Sequence, residues 1–122
     1  MCHVVELERH SELYELISRL WPPKKFPRKC AMLYAGQVPN VSFLILAGEA
    51  EIEDPDCLKS VGPNTLFAMR ELILGDISRS TVFVKEDTLA CFFDRQALLT
   101  KTEQNPKLKA EIENFAALNA LW

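Results

Sequence analysis

The sequence predicts an α+β fold: a double-stranded β-helix, or jelly roll, of short antiparallel strands flanked by N-terminal and C-terminal helices. Three observations carry that prediction. Turn signals recur at close spacing through the middle of the chain (Gly36, Pro39-Asn40, Gly48, Asp54-Pro55, Gly62-Pro63, Gly75) and separate short runs of strand length. Up to Trp21 and again from Asp94 onward, apolar residues fall instead at helical spacing. The 122 residues fit one domain, long enough to bury a core without disulfide or metal staples. The expected division is an N-terminal helix over 1–21, a roll over 26–93 and C-terminal helices over 94–122.

In the first helix Leu13, Leu16, Ile17 and Leu20 share one face, with Glu12, Glu15 and Arg19 away from it. Trp21 closes the stripe, and Pro22-Pro23 ends the helix because proline cannot continue it. Lys24, Lys25, Arg28 and Lys29 surround Phe26-Pro27. They read as a solvated loop leading into a strand rather than an anion or membrane contact, because the chain as a whole carries a formal charge of -3.

From Cys30 the pattern is strand and turn. Val41 to Ala47 is almost continuously apolar, as expected of a strand covered on both faces, and Gly48 ends it. Glu49, Glu51 and Glu53 alternate with Ala50 and Ile52, giving one wet and one dry face. Leu58 to Val61 is a short strand. Phe67 to Leu74 reads as a short helix stopped by Gly75. Ser80 to Val84 and Leu89 to Phe93 are strands joined by the turn Lys85-Glu86-Asp87. Asp94 is placed to cap a helix over Arg95 to Glu103. Asn105-Pro106 restarts another, with a capping side chain before proline at the first helical position. Leu108, Ile112, Phe115, Leu118 and Leu121 form its apolar stripe, ending in Trp122.

Several function classes are excluded or disfavoured. The net negative charge is the wrong sign for a protein that holds a phosphate backbone. No apolar run approaches the ~20 residues that span a bilayer, and the start lacks the pattern of a secretory leader, so the expected compartment is the cytoplasm. Cys2, Cys30, Cys57 and Cys91 form no C-x-x-C pair and are expected to be reduced thiols, with Cys30 and Cys91 buried in or beside strands. His3 and His10 precede the first strand and stand seven apart on the expected helix, which suits surface residues rather than a metal site in a roll. No G-x-S-x-G, G-x-x-x-x-G-K-[ST] or G-x-G-x-x-G occurs. An enzyme is not expected, nor a metal or resident cofactor.

Two segments resemble the cyclic-nucleotide-binding domain family, the module of catabolite-activator-type regulators and of the regulatory subunits of cyclic-AMP-dependent kinase. Phe26 to Ile52 is similar to that family's opening strands: a Phe-Pro start, the apolar pair Met32-Leu33, the turn glycine Gly36, then an apolar strand ending at Gly48. Val61-Gly62-Pro63, Glu86-Asp87-Thr88, Asp94-Arg95 and Asn105-Pro106 resemble its later strands and its exit into the C-terminal helix. The resemblance implies a sensing or regulatory domain with cyclic AMP or cyclic GMP as ligand. It also implies a homodimer through the C-terminal helix, carried by Ile112, Phe115, Leu118, Leu121 and Trp122. No DNA-reading helix-turn-helix follows that helix, so no output domain of its own is expected.

The family's ligand cassette runs roughly Phe-Gly-Glu-x-Ala-Leu, then a loop, then Arg-Ser/Ala-Ala. In it, backbone N–H groups at a helix start and an arginine hold the cyclic phosphate, while the glutamate accepts from the ribose 2′-hydroxyl. The matching residues here are Ala68, Met69, Arg70, Glu71 and Leu72, followed by Arg79 and Ser80. Ala68 adds a methyl where glycine admits the phosphate, and Met69 replaces the ribose acceptor. Counted along the strand, Arg79 falls one residue late and would face away unless a bulge intervenes. The cassette therefore predicts weak or altered ligand specificity. The alternative is a ligand-free scaffold for dimerisation or partner docking.

Overall fold

The computed structural model describes residues 4–119. Within them the chain runs β1 (Val4–Glu6), α1 (Glu12–Leu20), β2 (Lys24–Phe26), β3 (Cys30–Leu33), β4 (Val41–Ala47), β5 (Ala50–Asp54) and β6 (Cys57–Val61). It continues β7 (Thr65–Phe67), α2 (Met69–Leu74), β8 (Thr81–Val84), β9 (Thr88–Asp94), α3 (Arg95–Gln104) and α4 (Pro106–Leu118). One sheet has the order β1-β7-β4-β9-β2 and the other β3-β8-β5-β6, with antiparallel neighbours throughout. This is the predicted roll with helices before, within and after it.

Two apolar clusters hold it. Phe43, Ile45, Ile52, Phe67, Val82, Val84 and Ala90 fill the space between the sheets. Leu44, Leu66, Cys91 and Phe93 point out of the five-stranded sheet onto the helices, where they meet Leu13, Ile17, Leu98, Leu108 and Phe115. The alternation of β4 and β9 thus feeds both clusters, as the uninterrupted run Val41 to Ala47 predicted. Full burial of each large side chain contributes about 1.5–3 kcal/mol.

The helices start where their caps dictate. The Ser11 hydroxyl accepts from Tyr14 N at 3.3 Å, the Asp94 carboxylate from Ala97 N at 2.7 Å, and the Asn105 amide oxygen from Leu108 N at 3.1 Å. Leu13, Leu16 and Ile17 are buried as expected, and Trp21 stacks on Phe93 with centroids 4.3 Å apart.

Five expectations are corrected. Residues 1–21 are not helical throughout: β1 pairs with β7, Val4 opposite Phe67, before α1 begins. His10 precedes α1 with φ 63° and contacts Glu15 through Nδ1 at 2.5 Å, while His3 lies outside the described residues. Lys24–Phe26 is an edge strand rather than a loop, pairing Lys24 with Ala90. Edge lysines discourage further strand addition, and these charges are locally answered, Lys25 by Asp87 at 3.7 Å and Lys29 by Glu51 at 3.1 Å. Phe67 belongs to β7, not to the short helix, because its ring stacks on Phe43 at 4.6 Å across the paired strands. Cys30 is exposed although it sits in β3; Cys91 is buried, which pushes its thiol up to about 11.

At the other end of the chain, Ile112 and Phe115 are buried in the helix-side cluster, so α4 folds back on its own roll with those residues. The two residues are only 7% and 5% exposed. Leu118 is 78% exposed, and Leu121 and Trp122 lie outside the described residues.

Gly48 is the tightest point of the roll. Its φ is +96°, and a Cβ there would stand 2.6 Å from Thr88 Oγ1 and 2.8 Å from Thr88 Cα. Thr88 cannot retreat, because its hydroxyl donates to Glu49 O and accepts from Glu49 N. Gly48→Ala is expected to destabilise the domain by about 2 kcal/mol or more, read as a lower midpoint in denaturant at unchanged slope.

Candidate functional site

The candidate residues lie at the exit of β7, in α2 and in the loop from α2 to β8. Phe67 ends β7 with its carbonyl accepting from the buried Ser42 hydroxyl at 2.7 Å. The chain then turns at Ala68, which adopts the left-handed conformation (φ 62°, ψ 20°) and serves as the N-cap of α2 without a side-chain hydrogen bond. An alanine there carries roughly 1–2 kcal/mol of strain that glycine would not. Its methyl is wholly buried in the cluster between the sheets. Ala68 O accepts from Leu72 N at 2.9 Å, which closes the first turn of α2.

From Ala68 onward the side chains divide between two compartments. Met69 and Leu72 enter the helix-side cluster. Glu71 is buried, and Arg70 is exposed. Gly75, with φ 69°, ends α2 by donating its N–H to Glu71 O.

Arg79 lies in the loop between α2 and β8, not on a strand, so the question of which strand face it occupies does not arise. It is exposed, while Ser78 and Ser80 on either side are buried. The Ser78 hydroxyl donates to Ser80 O at 2.7 Å, and the Ser80 hydroxyl donates to the Asp54 carboxylate. The same loop is clamped to the turn after β3: Gly36 N donates to Ser78 O and Ser78 N to Gln37 O, both at 2.8 Å. Neither Arg70 nor Arg79 forms an ion pair among the described residues. The arrangement is a short helix start and a free guanidinium held on a braced loop, two groups suited to an anion.

No His, Cys, Asp or Glu cluster among the described residues could hold a metal ion. On the wet face of β5, Lys85 bonds Glu49 at 3.1 Å and lies 3.7 Å from Glu51. The Glu49 hydrogen bond and charge raise the Lys85 pKa above its ordinary value. These carboxylates serve as partners for lysines.

A family model described as the cyclic nucleotide-binding domain matches residues 23–105. The chain belongs to that family. No curated protein sequence matches it at a significant level. Among solved structures, one from a cyclic-GMP-dependent signalling pathway that regulates bacterial phytopathogenesis aligns with a TM-score of 0.73 at 18% identity, covering 96% of this chain and 97% of that one. The catabolite activator protein of Thermus thermophilus aligns at 0.67 and 20% identity, covering 89% of this chain and 53% of that one. This chain therefore spans about half of that protein. The sensor domain of the transcriptional regulator DNR from Pseudomonas aeruginosa aligns at 0.64 and 11% identity, covering 90% and 87%. At such identities these likenesses establish the cyclic nucleotide-binding domain fold alone.

The sequence offers α2 and Arg79 as candidates but not Ser42, Asp54 and Ser78, whose hydrogen bonds brace the candidate segments. Isolated serines and a turn aspartate carry no periodicity, so only the Ser-x-Ser spacing around Arg79 hinted at them. Ser78→Ala is expected to cost about 1–2 kcal/mol by removing the buried hydrogen bond from its hydroxyl to Ser80 O. It should also speed amide hydrogen exchange at Arg79 and Ser80 relative to β4.

Proposed function

We propose that this cyclic nucleotide-binding domain is a regulatory, non-catalytic sensing module whose cassette binds cyclic AMP and cyclic GMP weakly or prefers another small anion. The observation that supports this most directly is Ala68. A buried methyl occupies the position where the family's glycine lets backbone approach the phosphate, and it does so at positive φ. Met69 offers no hydrogen bond to a ribose hydroxyl and packs toward the helices. Arg79, with Ser80 beside it, remains as the anion contact, and the first turn of α2, where Arg70 stands, supplies N–H groups. Losing one polar partner in such a site costs ~1–3 kcal/mol, and two such losses weaken binding by roughly one and a half to four orders of magnitude, at about 1.4 kcal/mol per tenfold.

Thermal unfolding with cyclic AMP and cyclic GMP, with AMP and GMP as controls, tests this reading. A ligand at ~100 times its dissociation constant adds about 2.7 kcal/mol, a shift of several degrees for a domain this size. No such shift is expected from cyclic nucleotide at micromolar concentration. Residual stabilisation at millimolar concentration should grow in Ala68→Gly and vanish in Arg79→Gln. A cyclic-specific shift of several degrees at micromolar ligand would overturn the proposal.

The alternative, a scaffold for dimerisation, draws support from one place. Leu118 is 78% exposed beside a cavity of about 130 Å³ lined by Leu7, Leu13 and Phe115. If copies associate there, Leu118→Glu should convert dimer to monomer in sedimentation velocity without changing thermal stability of the monomer. A wild-type chain that sediments as a monomer at high concentration removes this alternative.

A further inference from the structure

A second cavity, away from the cassette's phosphate contacts, lies where α2, α3 and α4 meet. It measures about 230 Å³ and is lined by Ile73, Leu98, Leu99 and Ile112, with Arg95, Thr102, Lys109 and Glu113 around them. Leu98 and Ile112 belong to the core beneath it, being 4% and 7% exposed. Leu99, the next residue on α3, is 49% exposed and forms part of the wall rather than the core. The cavity thus has an apolar floor with one apolar side open to solvent.

Its charged groups are asymmetric. Arg95 and Lys109 outnumber Glu113, and neither cation forms an ion pair among the described residues. Among the described residues Lys25, Lys29, Lys85 and Lys107 are answered by carboxylates, while Lys24, Lys59 and Lys101, like Arg95 and Lys109, are not. The Arg95 guanidinium lies beside Gly75, its Nη1 3.6 Å from where a Cβ there would stand. A positive rim over an apolar floor in a net negative protein selects for a ligand with an apolar body and one negative charge.

We propose that this cavity binds a small amphipathic anion, a medium-chain alkyl carboxylate, with its chain on Ile73, Leu98, Leu99 and Ile112 and its head group between Arg95 and Lys109. The site is separate from the cyclic-nucleotide reading and stands or falls without it. Transfer of each methylene from water into such a floor tightens binding about fourfold until the cavity is full. The guanidinium adds a charge-assisted bond to the head group.

Calorimetric titration of the intact chain with hexanoate, octanoate and decanoate, each below its micelle concentration, tests the proposal. Decanol and decyltrimethylammonium serve as head-group controls. The expected result is saturable one-to-one binding that tightens about fourfold per methylene, is weaker for decanol and is weakest for the cation. Amide resonances of Leu99, Thr102 and Ile112 should shift on titration. Arg95→Gln should bring decanoate down to the affinity of decanol while leaving decanol unchanged, and Lys109→Gln should act in the same direction. Leu99→Glu, at a half-exposed position, should abolish binding of all carboxylates with the fold intact by thermal unfolding. Absence of saturable binding would overturn the proposal. So would decanoate binding that ignores Arg95→Gln and Lys109→Gln, or shifts confined to residues of the β-roll.

Discussion

Everything in this domain rests on two strands that have no wet face. β4 and β9 send one set of side chains into the space between the sheets and the other onto the helices. Because they lie side by side, Phe43 opposite Phe92 and Leu44 opposite Cys91, the two clusters share one wall. A slip of one residue in either strand would exchange the two sets of side chains, so the register is fixed by both cores at once. The Phe43–Phe67 stack then carries that register into β7, and β7 delivers the chain to α2. The position of the cassette is therefore set by aromatic packing several residues before any polar group is met.

The parts of this plan that repeat were readable from residues alone. The run Val41 to Ala47, the alternation at Glu49 to Glu53 and the caps Asp94 and Asn105 are local patterns with local causes, and each appears where expected. The parts that failed depend on partners distant in the chain. β1 is three residues long and exists through its pairing with β7, so Val4-Val5 carried too little periodicity to be noticed. Lys24–Phe26 looks like a solvated loop because its charges are on an edge strand, where strand and loop have the same composition. The apolar neighbours of Phe67 suggest a helix, yet its ring has its partner on β4. Cys30 stands in a strand whose first residue is exposed, and burial of a thiol cannot be read from strand membership alone.

At the candidate cassette the residues can be aligned with the family pattern, but the directions of their side chains depend on the fold. Met69 stands in line with the family's glutamate, and from sequence the change looks like a single lost acceptor. In the folded chain Met69 is wholly buried among the helix-side residues. A carboxylate in that orientation would be desolvated with no charge to answer it, so the methionine is part of the core as well as a departure from the pattern. The same holds for Ala68, whose methyl is packed between the sheets while its backbone is bent to positive φ. Substitution and packing have adjusted to each other here, and restoring one family residue does not by itself restore the family's site.

This double commitment gives α2 an unusual position. Its first residues are anchored to the two cores, Ala68 between the sheets and Met69 and Leu72 against the helices, while Ile73 near its end lines the cavity bordered by Arg95 and Lys109. A helix of six residues has no internal joint, so a shift at one end would carry to the other. If both proposed ligands bind and each favours a different placement of α2, each would change the affinity of the other site by the same factor. The size of that coupling is limited by how differently each ligand binds the two placements, not by how tightly it binds overall. The weak anion binding proposed at Arg79 would on this ground be compatible with the regulatory role proposed, since coupling depends on discrimination between placements of α2 and not on tightness.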